Sequence, residues 1–200
     1  LQCSRKLRRL FAPELDYGCF GGDRIGSDAP FCDRIYVLPG LPNEYPPARV
    51  RVLPPLVDRV VDAQPESAER RALVIGQPLA AFRLMSPADV SEVTSRMRQW
   101  LACEGFSLID YKPHPKDVAH DLAHPDYRLI EPAGALESHM ASTRYDAVIG
   151  VRSSSLLLAR QIYPARVRVV AFGWQRVRFK SPQEQEDMRR AFTACGVEFA

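Results

Sequence analysis

Two short polar segments carry the side chains that are best suited to bind an anion. The first is Tyr111-Lys112-Pro113-His114-Pro115, directly after an apolar run at residues 106–109, and the second is Arg152-Ser153-Ser154-Ser155, directly after residues 147–151. If both runs are parallel strands, the two segments emerge at the same edge of one sheet. Loops and helix N-termini at that edge present free N–H groups. The pattern predicts that a histidine, a lysine and three serines face one anionic ligand.

His114 stands between two prolines, which restrict the backbone on both sides and leave the ring little freedom. A histidine held in this way can donate a hydrogen bond to a phosphate or act as a general acid. Lys112 adds a positive charge. A tight proline turn with an exposed histidine explains the same residues equally well, so both interpretations stay open. A second His-Pro pair, His124-Pro125, precedes a strand instead of following one, which favours a structural role there.

The run Ser153-Ser154-Ser155 stands where a helix is predicted to begin. One serine is explained as an N-cap, but three exceed what a cap requires, and hydroxyls at a helix N-terminus suit an anion. The sequence has no Walker motif, no G-x-G-x-x-G and no G-x-S-x-G. It therefore argues against a P-loop NTPase, an ordinary dinucleotide site and an α/β-hydrolase.

Glu131 and Glu137 lie between the two polar segments, near the start of another predicted helix. A carboxylate in such a place can accept hydrogen bonds from both ribose hydroxyls of a nucleotide. A favourable interaction with the helix dipole explains an acid there too. Of the two, Glu137 is the stronger candidate for the ribose.

The elements that must position these residues follow a regular pattern from Arg71 onward. Apolar runs alternate with helical patterns, which is typical of βαβ units around a parallel sheet. The capping sequences Ser86-Pro87-Ala88-Asp89 and Ser181-Pro182-Gln183-Glu184 open two helices, and Gly105 and Gly196 end them. The predicted strands are residues 72–76, 106–111, 127–130, 147–151 and 167–172.

Residues 1–69 have a different character. We predict a basic helix around residues 5–9, two or three short strands at 16–20, 34–38 and 50–53, and a proline-rich extended connection. We interpret residues 1–69 as part of an N-terminal domain with its linker, and residues 70–200 as a Rossmann-like nucleotide-binding domain. The start at Leu1, without a methionine, leaves two expectations open: a fragment that lacks part of its acceptor site, or a protein that has lost transferase activity and kept the nucleotide-binding half.

Composition narrows the classes of partner. The 200 residues have a net charge of only +3, which does not favour nucleic acid, and the basic run at residues 5–9 suits a solvated helix face better than a membrane contact. Five scattered cysteines suggest reduced thiols of a cytoplasmic protein, and their spacing predicts no metal site. No apolar run approaches the ~20 residues of a transmembrane helix. We expect a soluble or peripheral protein.

The order of these motifs resembles bacterial sialyltransferases and polysialyltransferases of the GT-B type. Lys-Pro-His-Pro after one strand, an acidic helix start and Ser-Ser after a later strand are shared with their nucleotide-binding half. Residues 72–79, 145–151 and 157–161 are similar to the polysialyltransferase-like family as well. The resemblance extends from about Ile35 to the C-terminus. It implies a glycosyltransferase that uses CMP-sialic acid and a glycan acceptor of the capsule or lipooligosaccharide type, without metal or cofactor, in the cytoplasm or peripheral at the inner membrane.

The resemblance also implies roles for individual residues. His114 contacts the donor phosphate and protonates the departing CMP, within a donor-binding motif that includes Lys112 and Pro115. Ser153 and Ser154 bind the same phosphate, with Ser155 as a third candidate, and Glu137 binds the ribose.

The general base of the family is an aspartate in an acidic motif before a glycine. The comparable stretch here, residues 20–27, contains Asp23 as its one acid and no Asp-Gly pair, and an ordinary glycine-rich turn explains it equally well. Asp23 is the candidate base. Three alternatives stay open: a transferase for CMP-Kdo or a CDP-linked polyol phosphate, a non-catalytic nucleotide-binding module of an export complex, and an α/β domain whose loops bind nothing.

Overall fold

The computed structural model describes Ser27, residues 32–54 and residues 69–200. The chain falls into two compact units, of which the first contains strands β1 (Ile35–Val37) and β2 (Val50–Val52), paired in parallel. Two of the short strands predicted for this part are thereby confirmed. The predicted strand at residues 16–20 and the predicted basic helix lie outside the described residues. The interpretation of this part as an acceptor-side domain stays a prediction.

The second unit is built on a six-stranded sheet in which every neighbouring pair is parallel. Its strands follow the order β5-β4-β3-β6-β7-β8, which is the doubly wound order of Rossmann-like folds. The α/β class with a parallel sheet is confirmed. The strands are β3 (Arg70–Ile75), β4 (Phe106–Lys112), β5 (Arg128–Leu129), β6 (Ala147–Gly150), β7 (Arg168–Ala171) and β8 (Glu198–Phe199).

Among residues 69–200, four α-helices and a 3₁₀ helix cover the sheet, and they divide the core in two. The helices are α1 (Pro87–Cys103), α2 (Leu136–Ser142), α3 (Ser155–Ile162) and α4 (Pro182–Ala194), with the 3₁₀ helix at Trp174–Arg176. Ala72 and Val74 of β3 pack on the α1 side, whereas Leu73 and Ile75 pack on the side of the other three α-helices. Side chains of a strand alternate between its faces, so one central strand serves both cores.

The predicted helix ends are confirmed. The Ser86 hydroxyl accepts a hydrogen bond from the N–H of Asp89 at 3.1 Å, and Ser181 does the same for Glu184 at 3.1 Å. Gly105 follows α1 with φ of 73°, a left-handed conformation that suits glycine. These signals fix where α1 and α4 begin, and α4 is one of the helices beside the sheet edge described below.

Asp110 of β4 is a buried carboxylate with a full set of partners. It is 1% exposed and accepts hydrogen bonds from Tyr145 Oη at 2.6 Å, Arg71 Nη2 at 2.6 Å and Arg128 Nε at 2.7 Å. Burial alone would raise the pKa of Asp110, but these donors outweigh it and lower the pKa below its usual value. Because Arg71 lies on β3 and Arg128 on β5, these hydrogen bonds join both strands to β4, and the cluster has a structural role.

Candidate functional site

The candidate site lies where β3, β4 and β6 end. β3 is paired with β4 on one side and with β6 on the other, so the chain changes direction across the sheet here. Ligands of open α/β sheets bind at this switch point, beyond the carboxyl ends of the strands. Lys112 ends β4 and lies level with Ile75, whose side chain faces α2 and α3. The two polar segments of the sequence therefore flank one central strand.

His114 is held in a turn that fixes its tautomer. The N–H of Lys116 donates to Nδ1 of His114 at 3.0 Å, and the carbonyl of His114 accepts from the N–H of Asp117 at 2.9 Å. Because Nδ1 accepts a hydrogen bond, the proton of the neutral ring is on Nε2. The half-buried ring can thus present Nε2–H as a donor.

The buried side chain of Asp117 stabilises this turn through hydrogen bonds. Its side chain is 3% exposed and accepts from Tyr111 Oη at 3.3 Å and from the N–H of Asp121 at 3.1 Å. Burial first, and then the neighbouring Asp121 carboxylate, raises the pKa of Asp117. Tyr111 in turn packs on Gly76, because a Cβ at position 76 would lie 2.5 Å from Tyr111 Oη. The His114 turn is thereby linked to the end of β3.

The serine segment, residues 152–155, contains hydrogen-bond donors that have no partner within the described residues. Ser153 Oγ accepts from the N–H of Ser155 at 3.3 Å, and the N–H of Arg152 donates to Gln77 Oε1 at 2.8 Å. Within the part of the chain that the structure describes, the N–H groups of Ser153 and Ser154 have no hydrogen-bond partner, nor does the Ser154 hydroxyl. Ser154 is the N-cap residue of α3 without a capping side-chain bond. These groups can bind an anion at the start of α3.

A surface cavity of about 760 Å³ adjoins Ser154 between α3 and α4. Much of its lining is apolar, with Leu157, Met188 and Phe192 among the residues that form it. The charged residues of the lining are Arg152, Glu184 and Asp187, and the first two form an ion pair of 3.2 Å. Its volume lies in the range of about 300–1,000 Å³ that is typical of small-molecule sites.

The remaining predicted residues take different positions. Lys112 Nζ donates to the carbonyl of Pro113 at 2.8 Å, and Pro115 is exposed. Glu137 is half-buried in the first turn of α2, a helix that starts after β5 and therefore at the same edge of the sheet, whereas Glu131 is exposed in the preceding loop. Asp23, the candidate base, lies outside the described residues.

Two residues of the site were not among the candidates from the sequence. Gln77 follows β3 and holds the Arg152 N–H, and Asp117 supports the His114 turn. The sequence signals for Gln77 are its position directly after a buried strand and Gly76, and its place within residues 72–79, which resemble the polysialyltransferase-like family.

Two structural findings concern classes of site. No helix among residues 32–54 and 69–200 has the length and apolar character needed to cross a membrane. In the same residues, no group of three or more His, Cys, Asp and Glu side chains could hold a metal ion.

Comparison with known proteins gives a family match and similarity to solved structures. The model of the alpha-2,8-polysialyltransferase (POLYST) family matches residues 56–171, whereas no curated protein matches the chain. A solved structure of KpsC from Thermosulfurimonas dismutans, described as a beta Kdo 2,4 transferase, is similar with a TM-score of 0.38 and 16% sequence identity. This similarity covers 66% of the present chain and 47% of KpsC, so the chain spans about half the length of that protein.

The family match includes β3 to β7 and both polar segments of the sheet edge. Since it covers more than half of the sequence, the chain belongs to the alpha-2,8-polysialyltransferase family.

Proposed function

We propose that this chain is the donor-binding part of a glycosyltransferase that transfers sialic acid from CMP-sialic acid to a glycan acceptor of the capsule or lipooligosaccharide type. The observation that carries the proposal is the set of open donors at the switch point of a domain of this family. We further propose that the reaction takes place in the cytoplasm, with the protein peripheral at the inner membrane, and that it needs neither metal nor cofactor.

In the proposed reaction, an acceptor hydroxyl attacks the anomeric carbon of the donor sugar. The bond between that carbon and the phosphate oxygen breaks, CMP leaves as a phosphate monoester, and the hydroxyl proton passes to a base. Asp23 is the proposed base. The charge that develops on the phosphate is met by Nε2–H of His114, the N–H groups of Ser153 and Ser154, and the ammonium of Lys112. Donors positioned before the reaction stabilise such charge without reorganisation.

The other parts of the donor fit the surroundings of this phosphate site. Glu137 lies in the first turn of α2 at the same edge, where its carboxylate can accept from the ribose hydroxyls. The cavity beside Ser154 offers apolar side chains to an N-acyl group, and Arg152, which is paired with Glu184, lies at its side. Ser155 has its N–H bonded to Ser153, so we assign it a supporting role in this loop.

The first test is calorimetry with CMP, UMP, AMP and CDP. We expect CMP to bind more tightly than UMP and AMP, and CMP-sialic acid to stabilise the chain more than CMP-Kdo or a CDP-linked polyol phosphate does. Tight CMP binding without hydrolysis or transfer of any donor would point to a non-catalytic binding module. If no cytidine nucleotide changes the thermal unfolding of the chain, the proposed function is wrong.

The second test compares two histidines in similar turns. The N–H of Asp126 donates to Nδ1 of His124 at 3.2 Å, as the N–H of Lys116 does to His114, but His124 lies before β5, at the opposite edge of the sheet. We expect His114→Ala to abolish sialyl transfer and to weaken CMP binding at least about 10-fold, a typical loss for a hydrogen bond to a charged group. His124→Ala should retain both. Full transfer by the His114 variant would refute the assignment.

A further inference from the structure

Gln77 lies between the two polar segments of the sheet edge. The last ladder pairs of β3 join Ile75 to Lys112 and Val74 to Ile149. Counted forward in the same register, position 77 is level with His114 on one side and with Arg152 on the other. Adjacent strands are about 4.8 Å apart, so a glutamine side chain at this place can reach either segment.

The hydrogen bond to Arg152 sets the orientation of the Gln77 amide. A backbone N–H can only donate, so the Gln77 atom 2.8 Å from the Arg152 nitrogen is the oxygen Oε1. The NH₂ group then faces away from that bond. Within the described residues Gln77 Nε2 has no hydrogen-bond partner, and it is not one of the buried polar atoms left unpaired. Two oriented donors are therefore accessible at the switch point.

The neighbours of Gln77 indicate what these donors would meet. Lys112 and His114 follow on one side, and the open N–H groups of Ser153 and Ser154 follow on the other. Every one of these groups donates hydrogen bonds or carries positive charge. A ligand group that accepts from all of them is a phosphate, which offers several acceptor oxygens in one place.

We propose that Gln77 is a ligand-binding residue of this site. Its Nε2 donates to a phosphate oxygen of the bound nucleotide, while its Oε1 keeps the serine segment in place through the Arg152 N–H. The inference rests on the proposed function for the identity of the nucleotide, CMP, but the contact itself requires only a phosphate-bearing ligand.

The test uses Gln77→Glu, a change that separates the two ends of the amide. A glutamate keeps an acceptor oxygen for the Arg152 N–H, but it replaces the NH₂ group with a negatively charged oxygen facing the phosphate. We expect the thermal unfolding midpoint of the full chain to stay within about 2 °C of the wild type. The reason is that the hydrogen bond from the Arg152 N–H is kept. The Kd for CMP should rise about 10-fold to 100-fold, while the Kd for cytidine, which has no phosphate, should stay unchanged.

The matched control is Gln99→Glu, which adds the same charge on the exposed side of α1 near its C-terminal end. That end of the helix leads into the start of β4 and is thus at the opposite edge of the sheet. The control should bind CMP and cytidine like the wild type.

The outcomes separate the inference from the proposed function. If the wild type binds CMP and Gln77→Glu binds it within twofold, Gln77 is only structural and the inference is overturned, while the function stands. If inorganic phosphate or AMP binds in a Gln77-dependent manner and CMP does not, the inference stands and the CMP donor is wrong. A wild-type chain that binds none of these phosphate-bearing probes overturns both.

Discussion

At the scale of the single residue, the environment of His114 decides which chemistry the ring can perform. While the Lys116 N–H donates to Nδ1, that nitrogen acts as an acceptor and the ring offers only Nε2–H as a donor. To act as a general acid it would have to gain a proton on Nδ1 and lose that hydrogen bond. A phosphate monoester has a second pKa near 6, so CMP can leave at neutral pH without a proton. The geometry thus favours a hydrogen-bond donor over a proton donor at this position.

Asp117 gives a prediction about pH at the same scale. Its carboxyl faces Tyr111, His120 and Asp121, and burial raises its pKa above the usual 3.8. A raised pKa means that the folded state holds the proton more tightly, so this group favours folding at low pH and loses that contribution as pH rises through the folded pKa. Asp117→Asn keeps an acceptor for Tyr111 without the buried charge. We expect the variant to unfold at a higher temperature than the wild type at pH 7.

The difference in unfolding temperature between Asp117→Asn and the wild type should shrink as the pH falls toward 3.8. At that pH the wild-type carboxyl is protonated and, like the amide of the variant, carries no charge. Thermal unfolding followed by circular dichroism between pH 4 and 7.5 measures it. A difference that stays constant with pH, or a variant less stable at pH 7, would contradict the assigned environment.

At the scale of the elements, the residues that follow β3 form hydrogen bonds both with the end of β4 and with the loop after β6. Gly76 N–H donates to the carbonyl of Lys112 at 2.9 Å, and the next residue, Gln77, accepts from Arg152. Gly76 also needs to be glycine, because a Cβ there would meet Tyr111 Oη at 2.5 Å and Cζ at 2.9 Å. A larger side chain at position 76 should therefore displace Tyr111 and disturb the His114 turn indirectly.

Gly76→Ala tests this link. We expect a loss of about 1–3 kcal/mol in the free energy of unfolding, which is typical of overpacking, together with weaker CMP binding. Adding Tyr111→Phe should restore part of the stability, since it removes the closest clashing atom. Gly134→Ala is the control, because nothing lies within 4 Å of a Cβ at that position. Chemical denaturation of the wild type and these three variants checks the order, and equal losses at positions 76 and 134 would show that Tyr111 is not the cause.

At the scale of the whole molecule, the sequence predicted the frame of the site better than its details. The central strands of the sheet could be recognised because their apolar runs, such as residues 72–76 and 147–151, are buried on both faces of a parallel sheet. The helix ends followed from caps such as Ser86 with Asp89, where local residues determine the structure. These two kinds of signal need no knowledge of distant contacts.

The missed features depend on distant or weak contacts. Strand β8 has only two residues, Glu198 and Phe199, which is too short for a periodic pattern. Gln77 lies in a run that resembles the family, but the hydrogen bond that orients its amide comes from Arg152, which is 75 positions away. Asp117 is one of several acids in its loop, and only burial against Tyr111 distinguishes it. Tertiary contacts of this kind leave no local trace in the sequence.

The unequal hydrogen bonding of the serine segment has a consequence for amide exchange with solvent deuterium. The amide protons of Arg152 and Ser155 are bonded to Gln77 and Ser153, whereas those of Ser153 and Ser154 are open in the described structure. In the free protein we expect Ser153 and Ser154 to exchange much faster than Arg152, since an amide exchanges when its hydrogen bond is absent. Saturation with CMP should slow these two amides at least about 10-fold and leave those of α1 unchanged. Nuclear magnetic resonance can follow each proton, and protection of Ser153 and Ser154 before any ligand is added would contradict the open site. A pair of adjacent backbone protons would thus report occupancy of the site directly.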